Sequence, residues 1–187
     1  QEGAGMVVVN EEGKLNKYKG LGLVNEVFTA ENLKNLSGKM AIGSVKYANK
    51  EVKGLENVQP FLFKHNTGNF ALANNGQLVN VNELKRYLEY HGSIFQSDSD
   101  SEILAHLIKK DTTNQNRLEV IIEALNKLEG SFALLIMTPD KMYACRDKYG
   151  LKPLAIGQLN GGYVVASETC AFEVIGAKYI RDVEPGE

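Results

Sequence analysis

Cysteine is scarce in these 187 residues: there are two, Cys145 and Cys170. Two thiols exclude a disulfide framework and cannot by themselves furnish a four-ligand zinc site. Histidine is almost as rare, and none of His65, His91 and His106 stands at metal-ligand spacing with a cysteine. Charge of one sign is also lacking. Lys+Arg 21 against Asp+Glu 23 leaves a formal net charge of -2, which gives no electrostatic reason for a nucleic acid or an anionic membrane as partner. The longest apolar run is six residues, 132–137, where a membrane-spanning helix needs about 20. No Gly-rich loop ends in Gly-Lys-Ser/Thr, and no paired-His metal motif is present. Nothing reads as a signal peptide, so the reducing cytosol is the expected compartment. What remains is an ordinary globular composition, 43% hydrophobic, at a length that suits one domain with its own core.

Short apolar runs of strand character fill the first part, at 6–9, 15–19, 40–47, 61–63 and 69–74, with turn residues such as Glu11-Glu12-Gly13 between them. Three amphipathic helices are predicted next. Asn80 with Glu83 and Ser99 with Glu102 have the spacing of capping boxes. The third helix, about 116–128, would turn Leu118, Ile121, Ile122 and Leu125 inward. Strands return at 131–138, 141–146, 153–158 and 163–167, the last two flanking Asn160-Gly161-Gly162, a strong hairpin signal. A short helix at 169–175 and a strand at 179–183 complete the pattern. Strands, then helices, then strands again predict an α+β fold of antiparallel sheets with helices packed on them.

Several glycines sit beside polar residues where apolar strands end, among them Asn75-Gly76. Such a pair can set a backbone N–H next to an amide side chain, as an oxyanion hole requires. It is equally a common turn dipeptide. Asp100 lies at the mouth of a predicted helix, where a carboxylate either caps the helix or receives a substrate ammonium. Lys46 closes an apolar strand next to Tyr47, and there it can snorkel to solvent. Both cysteines read as structural thiols, small buried hydrophobes rather than nucleophiles. The residues thus offer binding and acceptor groups but no convincing attacking group.

Taken in order, QEGAGM, AIGSVKYAN, LENVQPFLF, ALANNGQLVN, SDSDSEILAHLI, GSFALLIMT, RDKYGLKPLAIG, YVVASETCAF and VEPGE resemble the N-terminal class II glutamine amidotransferase domain of the amidophosphoribosyltransferase family. The resemblance runs from Gln1 to Glu187. It implies a four-layer α/β/β/α sandwich of the N-terminal nucleophile (Ntn) hydrolase type, with residues 1–187 a partial domain, incomplete at its N-terminus. It also implies a reaction: glutamine is hydrolysed, and the ammonia passes to phosphoribosyl pyrophosphate to give phosphoribosylamine, the first committed step of purine synthesis. The second half reaction would belong to a downstream phosphoribosyltransferase domain outside these residues. The partners implied are glutamine, phosphoribosyl pyrophosphate through that domain and, at full length, further copies of the chain.

By the same resemblance Asn75 and Gly76 are the oxyanion-hole pair, Asp100 receives the glutamine α-ammonium, Lys46 pairs with the α-carboxylate, and Tyr47 is its neighbour. Lys46 replaces a family Arg and gives up a planar bidentate fork for a point charge. Asn74 replaces a His and Asn49 a Thr, so weaker glutamine binding is expected. The family's nucleophile is an N-terminal Cys whose own α-amine serves as base; an unperturbed α-amine titrates near 8. This chain opens at Gln1, so the nucleophile is expected upstream, and residues 1–187 alone are expected to be inactive. No cofactor is expected here. Mg²⁺ with phosphoribosyl pyrophosphate and, in some relatives, a 4Fe–4S cluster belong to the full-length enzyme. The alternative is a non-catalytic, stand-alone glutamine-binding or structural module of the same fold.

Overall fold

In the computed structural model the chain is described over residues 1–47, 54–66, 68–97, 99–110 and 116–187. Its first strand, β1 (Gly3–Val9), is the middle of a three-stranded antiparallel sheet in the order β2-β1-β3, with β2 at Leu15–Leu21 and β3 at Met40–Lys46. β1 is covered on both faces, which is why it reads as an unbroken apolar run rather than an alternating one. Two short helices, α1 (Val24–Val27) and α2 (Ala30–Leu33), join β2 to β3, with α1 packed against β1 and β2. The sequence pattern does not foretell them, because four residues are too few to display a helical period.

A second sheet runs β4-β5-β6-β7, with β4 at Phe61–Phe63, β5 at Phe70–Leu78, β6 at Gly130–Met137 and β7 at Met142–Arg146. Alternation along β5 sorts its side chains by size. Phe70 and Leu72 face α3 (Val81–Tyr90), α4 (Ser101–Lys110) and α5 (Arg117–Leu125), in a core with Leu88, Ile103, Leu104 and Ile121. Ala71 and Ala73 face the other way, against Val7, Val9 and Ile42 of the first sheet, and their small size lets the two sheets close together. A third sheet, β10-β8-β9, follows with β8 at Ala155–Leu159, β9 at Gly162–Ala166 and β10 at Lys178–Asp182; α6 (Cys170–Ile175) packs on it. Asn160 (φ 51°) and Gly161 (φ 82°) form the β8–β9 hairpin, both left-handed as a type I′ turn demands. The layers run helices, sheet, sheet, helix.

Five local expectations are corrected. Asn75-Gly76 is not a turn: both residues lie inside β5 and pair with Ala133 and Phe132 of β6. Asn80 is the N-cap of α3 but makes no capping bond, because its side chain is taken by Lys127 O (2.9 Å) and Glu129 N (3.1 Å) across the fold. Glu102 does not close a box on Ser99; its carboxylate accepts from Gln96 N, Ser97 N and Ser97 Oγ instead. On α5 the buried residues are Val120, Ile121 and Ala124, while Leu118 and Ile122 stay 48% and 47% exposed. Cys145 is buried as expected, but Cys170 is exposed at the start of α6.

Candidate active site

The strand β5 is the spine of the site, and its hydrogen-bonding edges explain why. Phe132 of β6 turns both backbone groups away from β5: its N–H reaches Asp147 Oδ2 (3.2 Å) and its carbonyl accepts from Asp147 N (3.0 Å). Its opposite number Gly76 therefore belongs to a non-hydrogen-bonded pair, and its own N–H points to the β4 side. β4 does not extend that far, because its pairing ends with Phe61 opposite Leu72. Two positions along the same edge are filled by side chains. Asn74 exchanges both backbone groups with the Gln59 carboxamide (N to Oε1 2.6 Å, Nε2 to O 3.2 Å), and Leu78 N donates to Asp100 Oδ2 (2.9 Å). Gly76 falls between them, its N–H without an acceptor among the described residues.

A Cβ on Gly76 would overlap the Ser131 carbonyl and stand 2.7 Å from Phe132 Cα. Close approach of β6 thus demands glycine there before any chemistry is considered.

Lys46, Tyr47, Asn75, Gly76 and Asp100 all line one cavity of about 620 Å³ between the end of β3, the second half of β5 and the start of α4. Lys46 is held by the pairing of β3 with β1, where its carbonyl accepts from Glu2 N (2.8 Å). Its amino group does not snorkel to solvent: Nζ is buried and finds no hydrogen-bond partner among the described residues. Asn74 Oδ1 is buried and unpartnered in the same way, and Asn74 also lines the cavity. Tyr47, 75% exposed, forms the rim. Asp100 precedes α4, and one of its oxygens is engaged by Leu78 N. The run leading to it is pinned by the buried Glu102 carboxylate. Asn49 lies outside the described residues. A cation, a carboxylate and two amide donors around one concavity match a small zwitterion that carries its own amide.

A larger cleft, about 1050 Å³, opens between β2, β4 and α4, and two of its charged groups, Lys19 and Glu102, are engaged by backbone partners. Lys19 Nζ donates there to the carbonyls of Val58 (3.0 Å) and Glu56 (3.2 Å). Burial, aided by the neighbouring Lys17 charge and opposed by Glu56, brings Lys19 down to about 8. Neither cysteine lines either cavity. Burial in β7 pushes the Cys145 thiol up to about 12, so it stays protonated and inert.

Sequence reasoning missed the Arg146-Asp147 pair. The buried Asp147 carboxylate takes the N–H groups of Phe132, Tyr149 and Leu151 at 3.0–3.2 Å, with Lys152 N at 3.4 Å. Burial opposes its charge, but those backbone donors outweigh it and hold the carboxyl below the ordinary aspartate range. Arg146 donates to the carbonyls of Lys152, Gly150 and Val183. No spacing rule signals such a knot, since most of its partners are backbone groups brought round by a loop.

A model of the glutamine amidotransferase domain matches residues 45–174, well over half of the chain. The chain belongs to the glutamine amidotransferase domain family. It is 52% identical over its whole length to an amidophosphoribosyltransferase of Bacillus subtilis and 44% identical to one of Methanocaldococcus jannaschii. It covers 39% and 40% of those proteins, so it spans about two fifths of the curated relatives it matches. Among solved structures, the glutamine phosphoribosylpyrophosphate amidotransferase of B. subtilis, complexed with ADP and GMP, superposes with a TM-score of 0.91 at 51% identity. That match covers 99% of this chain and 40% of the other. A structure described as the allosteric regulatory enzyme of purine biosynthesis gives 0.94 at 52% identity, with the same coverage. The sandwich of antiparallel sheets in this amidotransferase domain is thus of the N-terminal nucleophile type. No helix among the described residues is long and apolar enough to cross a membrane.

Proposed function

We propose that this chain is the glutaminase domain of an amidophosphoribosyltransferase, binding glutamine and releasing ammonia for transfer to phosphoribosyl pyrophosphate. One observation carries the reading. Residues drawn from β3, β5 and the start of α4 line a single cavity, in the combination that an α-amino acid amide would need. In this reading Lys46 faces the glutamine α-carboxylate with Tyr47 at its side, and Asp100 faces the α-ammonium. The Asn75 side chain and the Gly76 N–H hold the carbonyl oxygen as it becomes an oxyanion.

The attacking thiol belongs to an N-terminal Cys upstream of Gln1 in the longer polypeptide. Its α-amine takes the thiol proton and passes it to the departing ammonia. Sulfur forms a thioester to the acyl carbon as the C–N bond breaks, and water then releases glutamate. Mg²⁺ with phosphoribosyl pyrophosphate, any 4Fe–4S cluster and the assembly of several copies fall to that longer polypeptide. Two cysteines do not fit a four-thiolate cluster, and no group of three His, Cys, Asp or Glu gathers among the described residues.

Glutamate release by the full-length gene product tests the reading. Asn75→Ala should lower kcat by roughly 10²–10³-fold, the usual effect of losing one oxyanion donor, with a smaller change in KM. Residues 1–187 alone should release no glutamate. Glutamine binding without hydrolysis by the full-length protein, or an Asn75→Ala variant with unchanged turnover, overturns the assignment.

A further inference from the structure

We propose that Gln59 is a positioning residue for the oxyanion donors, its side-chain carboxamide standing in for a missing strand residue. The inference rests on the glutaminase reading above and adds a residue to it. Extending the β4–β5 register outward from Phe61 and Leu72 by two positions sets Gln59 opposite Asn74. Its main chain cannot complete the ladder, because it is drawn to the other sheet. The Gln59 carbonyl lies so near Gly5 of β1 that a Cβ there would overlap it, and Val58 before it packs on Gly3 and is bonded by Lys19 Nζ. The side chain bridges the gap instead, accepting from Asn74 N at 2.6 Å and donating to Asn74 O at 3.2 Å.

A carboxamide copies a peptide group, with one acceptor and one donor at the spacing that a strand residue would offer. Its two bonds restrain both backbone groups of Asn74, two residues before the free Gly76 N–H on the same strand edge. The edge is thereby closed at Asn74 and at Leu78 and left open between them. Leucine at position 59 fills a similar volume but makes neither bond; glutamate keeps the acceptor and faces the Asn74 carbonyl with a second oxygen.

The test is steady-state glutamine hydrolysis by the full-length protein, with Asn75→Ala measured alongside. Gln59→Leu should lower kcat by roughly 10²-fold, as a donor displaced by about 1 Å would. The KM for glutamine should stay within about threefold, because the groups facing the α-carboxylate and α-ammonium are untouched. If Gln59→Leu fails to fold, Gln59→Glu is read by the same split, with a smaller fall in kcat expected. If Asn75→Ala silences hydrolysis while the Gln59 variant keeps kcat within about twofold, or raises KM alone, the positioning role is overturned and the glutaminase reading stands. If Asn75→Ala leaves turnover intact, the glutaminase reading falls, and this inference with it.

Discussion

Two polar clusters of similar size behave in opposite ways. Around Arg146 and Asp147 the carboxylate and the guanidinium are both saturated with backbone partners. Around Lys46 and Asn74, an amino group and a carbonyl oxygen are buried with none among the described residues. A folded chain keeps unpaired buried polar atoms at a free-energy cost. Saturation therefore marks the cluster that holds the loop from 147 to 152 in place, whereas the deficit at Lys46 and Asn74 leaves donor and acceptor capacity beside the cavity that the proposed function assigns to glutamine.

That contrast can be broken most forcefully at Asp147. Replacing it with Ala strands several buried N–H groups and should cost more than about 3 kcal/mol in urea unfolding; a loss under about 1 kcal/mol would remove the distinction. The same carboxylate predicts a pH dependence. Its folded pKa is depressed, so its stabilisation is complete above the ordinary aspartate value near 4 and disappears as pH falls through the lower folded value. Acid unfolding below pH about 4 should be shallower in Asp147→Asn than in the parent.

Lys46 should do the reverse. Lys46→Met should leave stability unchanged or raise it by about 1 kcal/mol, since an unpartnered buried amino group is replaced by an apolar chain of similar length. It should raise the KM for glutamine at least tenfold, or about 1.4 kcal/mol. Smallest is Lys46→Arg, which restores a planar fork and should tighten glutamine binding by about threefold in a titration of the full-length protein. An unchanged affinity would mean that the lysine gives up nothing.

Much of this could be read from residue order alone. Short apolar runs announced the strands of both facing sheets, and Asn160-Gly161 announced its hairpin, because local backbone preference and tertiary pairing agree there. They disagree at Asn75-Gly76, where pairing with Ala133 and Phe132 overrides turn propensity. The caps failed for the same reason. Asn80 and Glu102 found partners 47 and 6 residues away, Lys127 and Gln96, beyond the reach of a spacing rule. Leu118 and Ile122 defeat the helical period because α5 carries aliphatic side chains on more than one face, and periodicity cannot choose between them. For the site, residue types could nominate Lys46, Asn75, Gly76 and Asp100, yet nothing local revealed that the Gln59 side chain would bond both backbone groups of Asn74, fifteen residues away.

The crowding at Gly76 has a practical corollary. A saturation library at that codon would return a uniform column of damaged proteins, because every replacement splays β5 from β6 before it reaches the chemistry. Exchanging the linkage between residues 75 and 76 from amide to ester would delete the hydrogen and keep the contour, so semisynthesis rather than mutagenesis is the instrument suited to that donor.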